Sequence, residues 1–227
     1  MKNIAKIGGI AALIDAATYL FGMVILIAYL TPPDYGNNDA DMLQKVGFLV
    51  DNSTLLYIFN FVIYVVNAIF LAILAVALYK RLEIKTPALA QLSLTIGGIW
   101  ATLVLGAGMV ANVGFAEVLL LYETDKQAAT SLWHILNTIE NGLGGGNEIA
   151  GGVWAIVLGM GFLASKCFSK PLGYFSLIIG AAGLSTIFPP FSEIGGAIFG
   201  LGFILWFVWV GVALLRPAKD DQFQTQG

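Results

Sequence analysis

Six long apolar runs decide what this chain can become. With a window of roughly 19 residues, long enough for a ~30 Å hydrocarbon core, membrane spans are read at 7–30, 54–78, 89–118, 149–164, 172–187 and 194–215. The third is long, and the fourth and fifth are short. Composition agrees, because 58% hydrophobic and 11% charged residues, with a mean hydropathy of +0.84, fall outside the range of soluble domains. The expected fold is an all-α integral membrane protein with six transmembrane helices as three hairpins. One domain covers 1–215, followed by a polar, disordered tail at 216–227. Lys2 and Lys6 before the first run resemble a signal peptide. The length of the run, Asp15 inside it and the lack of a small-residue cleavage signature favour an uncleaved first helix instead.

Charge sets the expected orientation, since short cytoplasmic loops keep an excess of Lys and Arg. Nine of the eleven basic residues fall on one side of a six-span topology: Lys2, Lys6, Lys80, Arg81, Lys85, Lys166, Lys170, Arg216 and Lys219. Lys45 and Lys126 lie opposite, among Asp34, Asp39, Asp41, Asp51, Glu123, Asp125, Glu140, Glu148 and Glu193. Both termini are therefore expected in the cytoplasm.

Two outer segments have a helical pattern of their own. Met42, Leu43, Val46, Leu49 and Val50 recur at helical spacing within 39–50, as do Leu132, Ile135, Leu136 and Ile139 within 126–140. Beside the second stripe run Thr130, His134, Asn137 and Asn141. Both segments are expected as short interfacial helices on the outer side. The second cannot run straight into the fourth span, because 126–166 as one helix would measure roughly 60 Å. The break is placed at Gly142 and Gly144 to Gly146, with Asn147 as a helix cap and Glu148 in the first turn. NEIAGG at 147–152 is echoed by SEIGG at 192–196, so a repeated capping joint accounts for both stretches. The functional alternative is an outer acidic site of Glu140, Glu148 and Glu193, able to hold a cation.

Inside the membrane, Asp15 lies about eight residues into the first span, ~12 Å from its end, where a lone carboxylate is costly. Tyr57, Asn60, Tyr64 and Asn67 follow one another at steps of three, four and three, which is one face of an α-helix. Asn112 of the third span sits at the depth of Asn60. These six residues form a candidate polar site, with Asp15 expected to bond Asn67 or a nearby tyrosine. Bonds that simply fix helix packing explain such a seam; a proton or small-solute site is the alternative. Gly196 with Gly200, and Gly97 with Ala101, have the small-xxx-small spacing of close helix contacts.

Other chemistries find little support. A net charge of −3 and the absence of basic runs leave no footprint for nucleic acid. Cys167 is the single cysteine and His134 the single histidine, so neither a thiolate cage nor a histidine-rich metal or haem site is available within this chain. No GxSxG elbow, phosphate loop or dinucleotide fingerprint stands in its required context. No catalytic residue, metal or cofactor is expected.

The runs YVVNAIFLAILAVALYKRLEIKTPALAQL at 64–92 and GMGFLASKCFSKPLGYFSLIIGAAGL at 159–184 carry a resemblance. A span ends in a basic Leu-Tyr-Lys/Arg turn, and a later span leads through a short basic loop and Pro-Leu-Gly into a glycine-rich helix. In this the chain resembles the bacterial multi-pass proteins grouped as domain of unknown function 4386. The resemblance implies a bacterial inner-membrane protein and brings no functional residues with it. The expected role is a non-enzymatic partner-binding, structural or accessory membrane component. Its partners would be the lipid bilayer and a membrane protein or a second copy. The alternative is a proton-coupled or small-solute transporter that uses Asp15.

Overall fold

The computed structural model describes residues 2–30, 42–144 and 147–216. Asp34, Asp39, Asp41, Gly145, Gly146 and the tail from 217 onward lie outside the described residues. Helix α1 (Lys2–Ile25) widens into a π turn at Leu26–Leu30. After α2 (Met42–Asp51) comes one continuous stretch made of α3 (Ser53–Asn60), a π segment (Phe61–Val66) and α4 (Asn67–Leu82). Then follow α5 (Pro87–Tyr122), α6 (Lys126–Gly144), α7 (Ile149–Ser165) and α8 (Lys170–Ser185). A 3-10 turn at Pro189–Phe191 leads into α9 (Ser192–Leu215). Prolines stand in the first turns of α5 and α8, where the missing N–H removes no helical bond.

Five stretches are long and apolar enough to cross a membrane: Asn3–Leu30, Ser53–Leu82, Pro87–Tyr122, Lys126–Ser165 and Pro189–Leu215. Apolar α8 has 16 residues, ~24 Å of helix, less than a full bilayer core. The molecule is therefore an all-helical membrane protein.

Contacts close α1, α4, α5, α7, α8 and α9 into a ring, each helix packing on the next and α9 returning to α1. Inside it lie buried large side chains, among them Trp100, Trp154, Phe162, Phe203 and Trp206. Two of the indoles are satisfied: Trp154 Nε1 donates to the Ser93 carbonyl at 2.9 Å and Trp206 Nε1 to Ser176 Oγ at 2.7 Å. Gly9 meets Leu215, Gly161 meets Leu82 and Leu89, and Gly173 meets Leu163. These pairs bring Lys6, Lys80, Arg81, Lys85, Lys166, Lys170 and Arg216 to one end of the ring, the basic end.

At the opposite, acidic end, α5 runs on past the start of α3, its 36 residues set against the 30 of Ser53–Leu82. Its 36 residues measure ~54 Å. A second apolar cluster forms there from Val46, Leu49, Phe115, Val118 and Ala129, with Tyr57, Leu132 and Leu136 packed against it. The sequence reading lays the segment of α6 in the interface, yet the helix stands along α5. Leu136 reaches Gly114, Leu143 reaches Gly106 and Gly144 meets Val104. The apolar stripe of α6 is spent partly on the exposed side of α5 and not wholly on the membrane surface.

The glycine joint also differs from expectation. Gly142 and Gly144 stay helical, and α6 ends only at Gly144. Asn147 stands one residue before the cap position of α7, and its Nδ2 donates back to the Gly142 carbonyl in the last turn of α6 at 3.4 Å. Glu148 holds the cap position of α7 without a side-chain bond. The cap comes from another helix: Thr186 Oγ1 accepts the Glu148 N–H at 2.9 Å and donates to the Gly183 carbonyl at 2.7 Å.

Close helix approach uses different glycines from those expected. Gly97 does face a neighbour, since a Cβ there would lie 2.6 Å from Trp154 Nε1. Gly196 and Gly200 have nothing within 4 Å, so they lie on an open face of α9. The close pair is α7 with α8: a Cβ at Gly180 would stand 2.6 Å from the Gly152 carbonyl oxygen, and one at Gly159 2.8 Å from that of Gly173. Lipid gives apolar helices no hydrophobic reason to associate, so packing at this range is what holds them. Gly180→Val is accordingly expected to cost about 1–3 kcal/mol, read as a lower thermal unfolding midpoint in detergent. Gly196→Ala, in open space, should leave the midpoint unchanged or slightly raised.

Candidate functional site

The buried acid and amides of the interior lie from the middle of the ring toward the acidic end, while the buried Ser93, Ser165 and Ser176 lie nearer the basic end. Asp15 on α1 is fully buried, and Asn67, the first residue of α4, is 3% exposed. Asn67 Nδ2 donates to Asp15 Oδ1 at 3.4 Å and to Thr18 Oγ1 at 3.0 Å. Thr18 in turn donates to the backbone carbonyl of Asp15 at 2.8 Å. One carboxylate oxygen is thus held across two helices, while Asp15 Oδ2 is buried with no hydrogen-bond partner among the described residues. Burial of an oxygen that accepts nothing is costly.

The string continues toward the acidic end. Tyr19 packs edge-on against Phe207 at 5.6 Å between ring centres and lies within electrostatic reach of both Asp15 and Glu148. Glu148 is fixed through its backbone by Thr186. Tyr64 donates from its hydroxyl to Glu140 Oε1 at 2.5 Å, joining the π segment to α6 across 76 residues of chain. Gly108 of α5 makes room for this tyrosine, since a Cβ there would run into the Tyr64 side chain.

Sequence spacing separates an intramembrane set from an outer acidic set; the structure joins parts of both. The line holds two hydrogen-bonded groups: Asp15 with Thr18 and Asn67, and Tyr64 with Glu140. Tyr57 leaves it, packing edge-on against Phe115 at 5.6 Å in the second apolar cluster. The reason is the π segment: a π turn carries one more residue than an α turn, so the three-and-four spacing across Asn60 and Tyr64 no longer marks one face. Asn60 is buried. Asn112 Oδ1 is buried without a partner among the described residues. Glu193 is exposed in the first turn of α9.

Thr18, Tyr19 and Thr186 join these groups without a mark in the spacing of polar residues. Thr18 is readable in principle, three residues after Asp15 on the same helix face. Thr186 is not, because its role depends on where α7 begins. His134 is exposed on α6, and among the described residues no group of His, Cys, Asp or Glu is placed to hold a metal ion. Tyr64→Phe should remove the donor to Glu140 and cost about 1–3 kcal/mol, as loss of a hydrogen bond to a partly buried acid does. Tyr57→Phe keeps its ring contact and should cost less; thermal unfolding of the two variants in detergent checks the difference.

A family model described as Domain of unknown function matches residues 7–211. No curated protein and no solved structure matches the chain. The matched segment runs from the first turns of α1 almost to the end of α9, and so carries the closed ring of helices, the buried Asp15 and its partners. The protein belongs to the Domain of unknown function family DUF4386.

Proposed function

We propose that the protein is a non-enzymatic component of a bacterial inner membrane that takes up protons at its buried acids, in the manner of a proton-coupled transporter of small solutes. The observation that carries this reading is Asp15: fully buried in α1, held by Asn67 through one oxygen and unpartnered at the other. A buried intramembrane acid is a functional candidate by default. Tyr19, Glu148, Tyr64 and Glu140 supply polar groups between it and the acidic end. The gathering of cations at the opposite end supports cytoplasmic termini and six spans as three hairpins. Resting α2 on the bilayer surface, as an interfacial helix, is consistent with this topology. No cofactor is part of the reading.

Asp15→Asn keeps the side-chain volume and an acceptor for Asn67, so it tests the proton without emptying the site. In proteoliposomes with a pH-sensitive dye inside and an imposed pH gradient, the wild type should dissipate the gradient and Asp15→Asn should slow it at least tenfold. Equal rates, or no dissipation by the wild type, would sink the proton reading.

A second reading, an accessory component holding a membrane-protein partner or a second copy, is supported by the acidic end. Ile135 and Ile139 of α6 are 57% and 47% exposed there. On that reading, native mass spectrometry of gently extracted protein would find a second chain in fixed ratio, lost in Ile135→Asp.

A further inference from the structure

A groove of about 610 Å³ opens between α8 and α9 toward the basic end, floored by Val212 and walled by Phe175 and Trp209, with Arg216 at its lip. The two rings stand 6.3 Å apart. The volume lies within the range of small-molecule sites, but the walls are those of a lipid site. Leu205 is 62% exposed and Trp209 41%, so the groove is open sideways, where a membrane protein meets hydrocarbon.

Its polar end is positively charged. Helices α8 and α9 run antiparallel, as the meetings of Gly195 with Ser185, Gly202 with Ile179 and Trp209 with Phe175 require. Arg216 lies ~10 Å from Trp209 along α9, two turns further on and on the same helix face. Its side chain is exposed, and among the described residues it takes part in no ion pair. An apolar channel that ends in a cation matches one kind of molecule: an acyl chain attached to a negatively charged headgroup. Basic pockets between membrane helices select such headgroups.

We propose that the α8–α9 groove is a binding site for an anionic phospholipid, with an acyl chain along Phe175, Trp209 and Val212 and the phosphate at Arg216. The site is independent of the Asp15 string. The proposal is tested with the full-length protein reconstituted in vesicles of equal parts phosphatidylglycerol and phosphatidylcholine, released into detergent and weighed by native mass spectrometry. The wild type should retain phosphatidylglycerol over phosphatidylcholine by about fivefold, the factor one basic side chain supplies near an anionic headgroup. Arg216→Gln should bring the ratio close to one while lipid remains bound. Val212→Trp, which fills the groove, should reduce both adducts. Equal retention of the two lipids by the wild type, or a wild-type preference that survives in both variants, would overturn it.

Discussion

A helix of 36 residues reaches ~54 Å, and a bilayer core hides ~30 Å of it. The excess length of α5 is the constraint on which the acidic end depends. Bare apolar helix surface beyond the hydrocarbon would have to be covered, and α2, α3 and α6 cover it with the cluster around Val46, Phe115 and Val118. The descent of α6 along α5 then sets the position of Glu140 beside Tyr64. A problem of length is thus solved by a helix that also delivers an acid to the interior.

The same descent brings an acid of α6 to the π segment, while a second polar group lies deeper in the ring. Asp15, Thr18 and Asn67 are a self-contained cluster of α1 and α4, comparable with the hydrogen-bonded seams that fix packing in many membrane bundles. Glu148 and Glu140 arrive from parts of the chain whose local sequence is dominated by glycine and polar residues. What distinguishes the cluster from simple packing is the unequal treatment of the Asp15 carboxylate. A purely structural network would be expected to partner both oxygens.

Much of the architecture was legible because membrane helices announce themselves by length and hydropathy, and the pairing of Asp15 with Asn67 by depth alone. Three things were hidden, each for a physical reason. The π segment leaves no mark in an unbroken apolar run such as FVIYVV, so the face predicted through Tyr57 and Asn60 was drawn with the wrong period. Glycine spacing shows where helices can approach but not which face is inside, which is why Gly196 and Gly200 were misread while Gly152 and Gly180 carry the contact. The upright stance of α6 follows from the overhang of α5, a relation between two helices that neither sequence expresses alone.

The hydroxyl of Thr186 closes the first turn of α7 from 38 residues downstream. At ~5–20 residues per second of synthesis, that partner is made about 2–8 s after Glu148. Until then the leading end of α7 has no side-chain cap of its own, since Asn147 is engaged with Gly142 and Glu148 makes no capping bond. Biogenesis thus treats α7 and α8 as one delivery: the earlier helix reaches its finished form only when the later one has come back beside it.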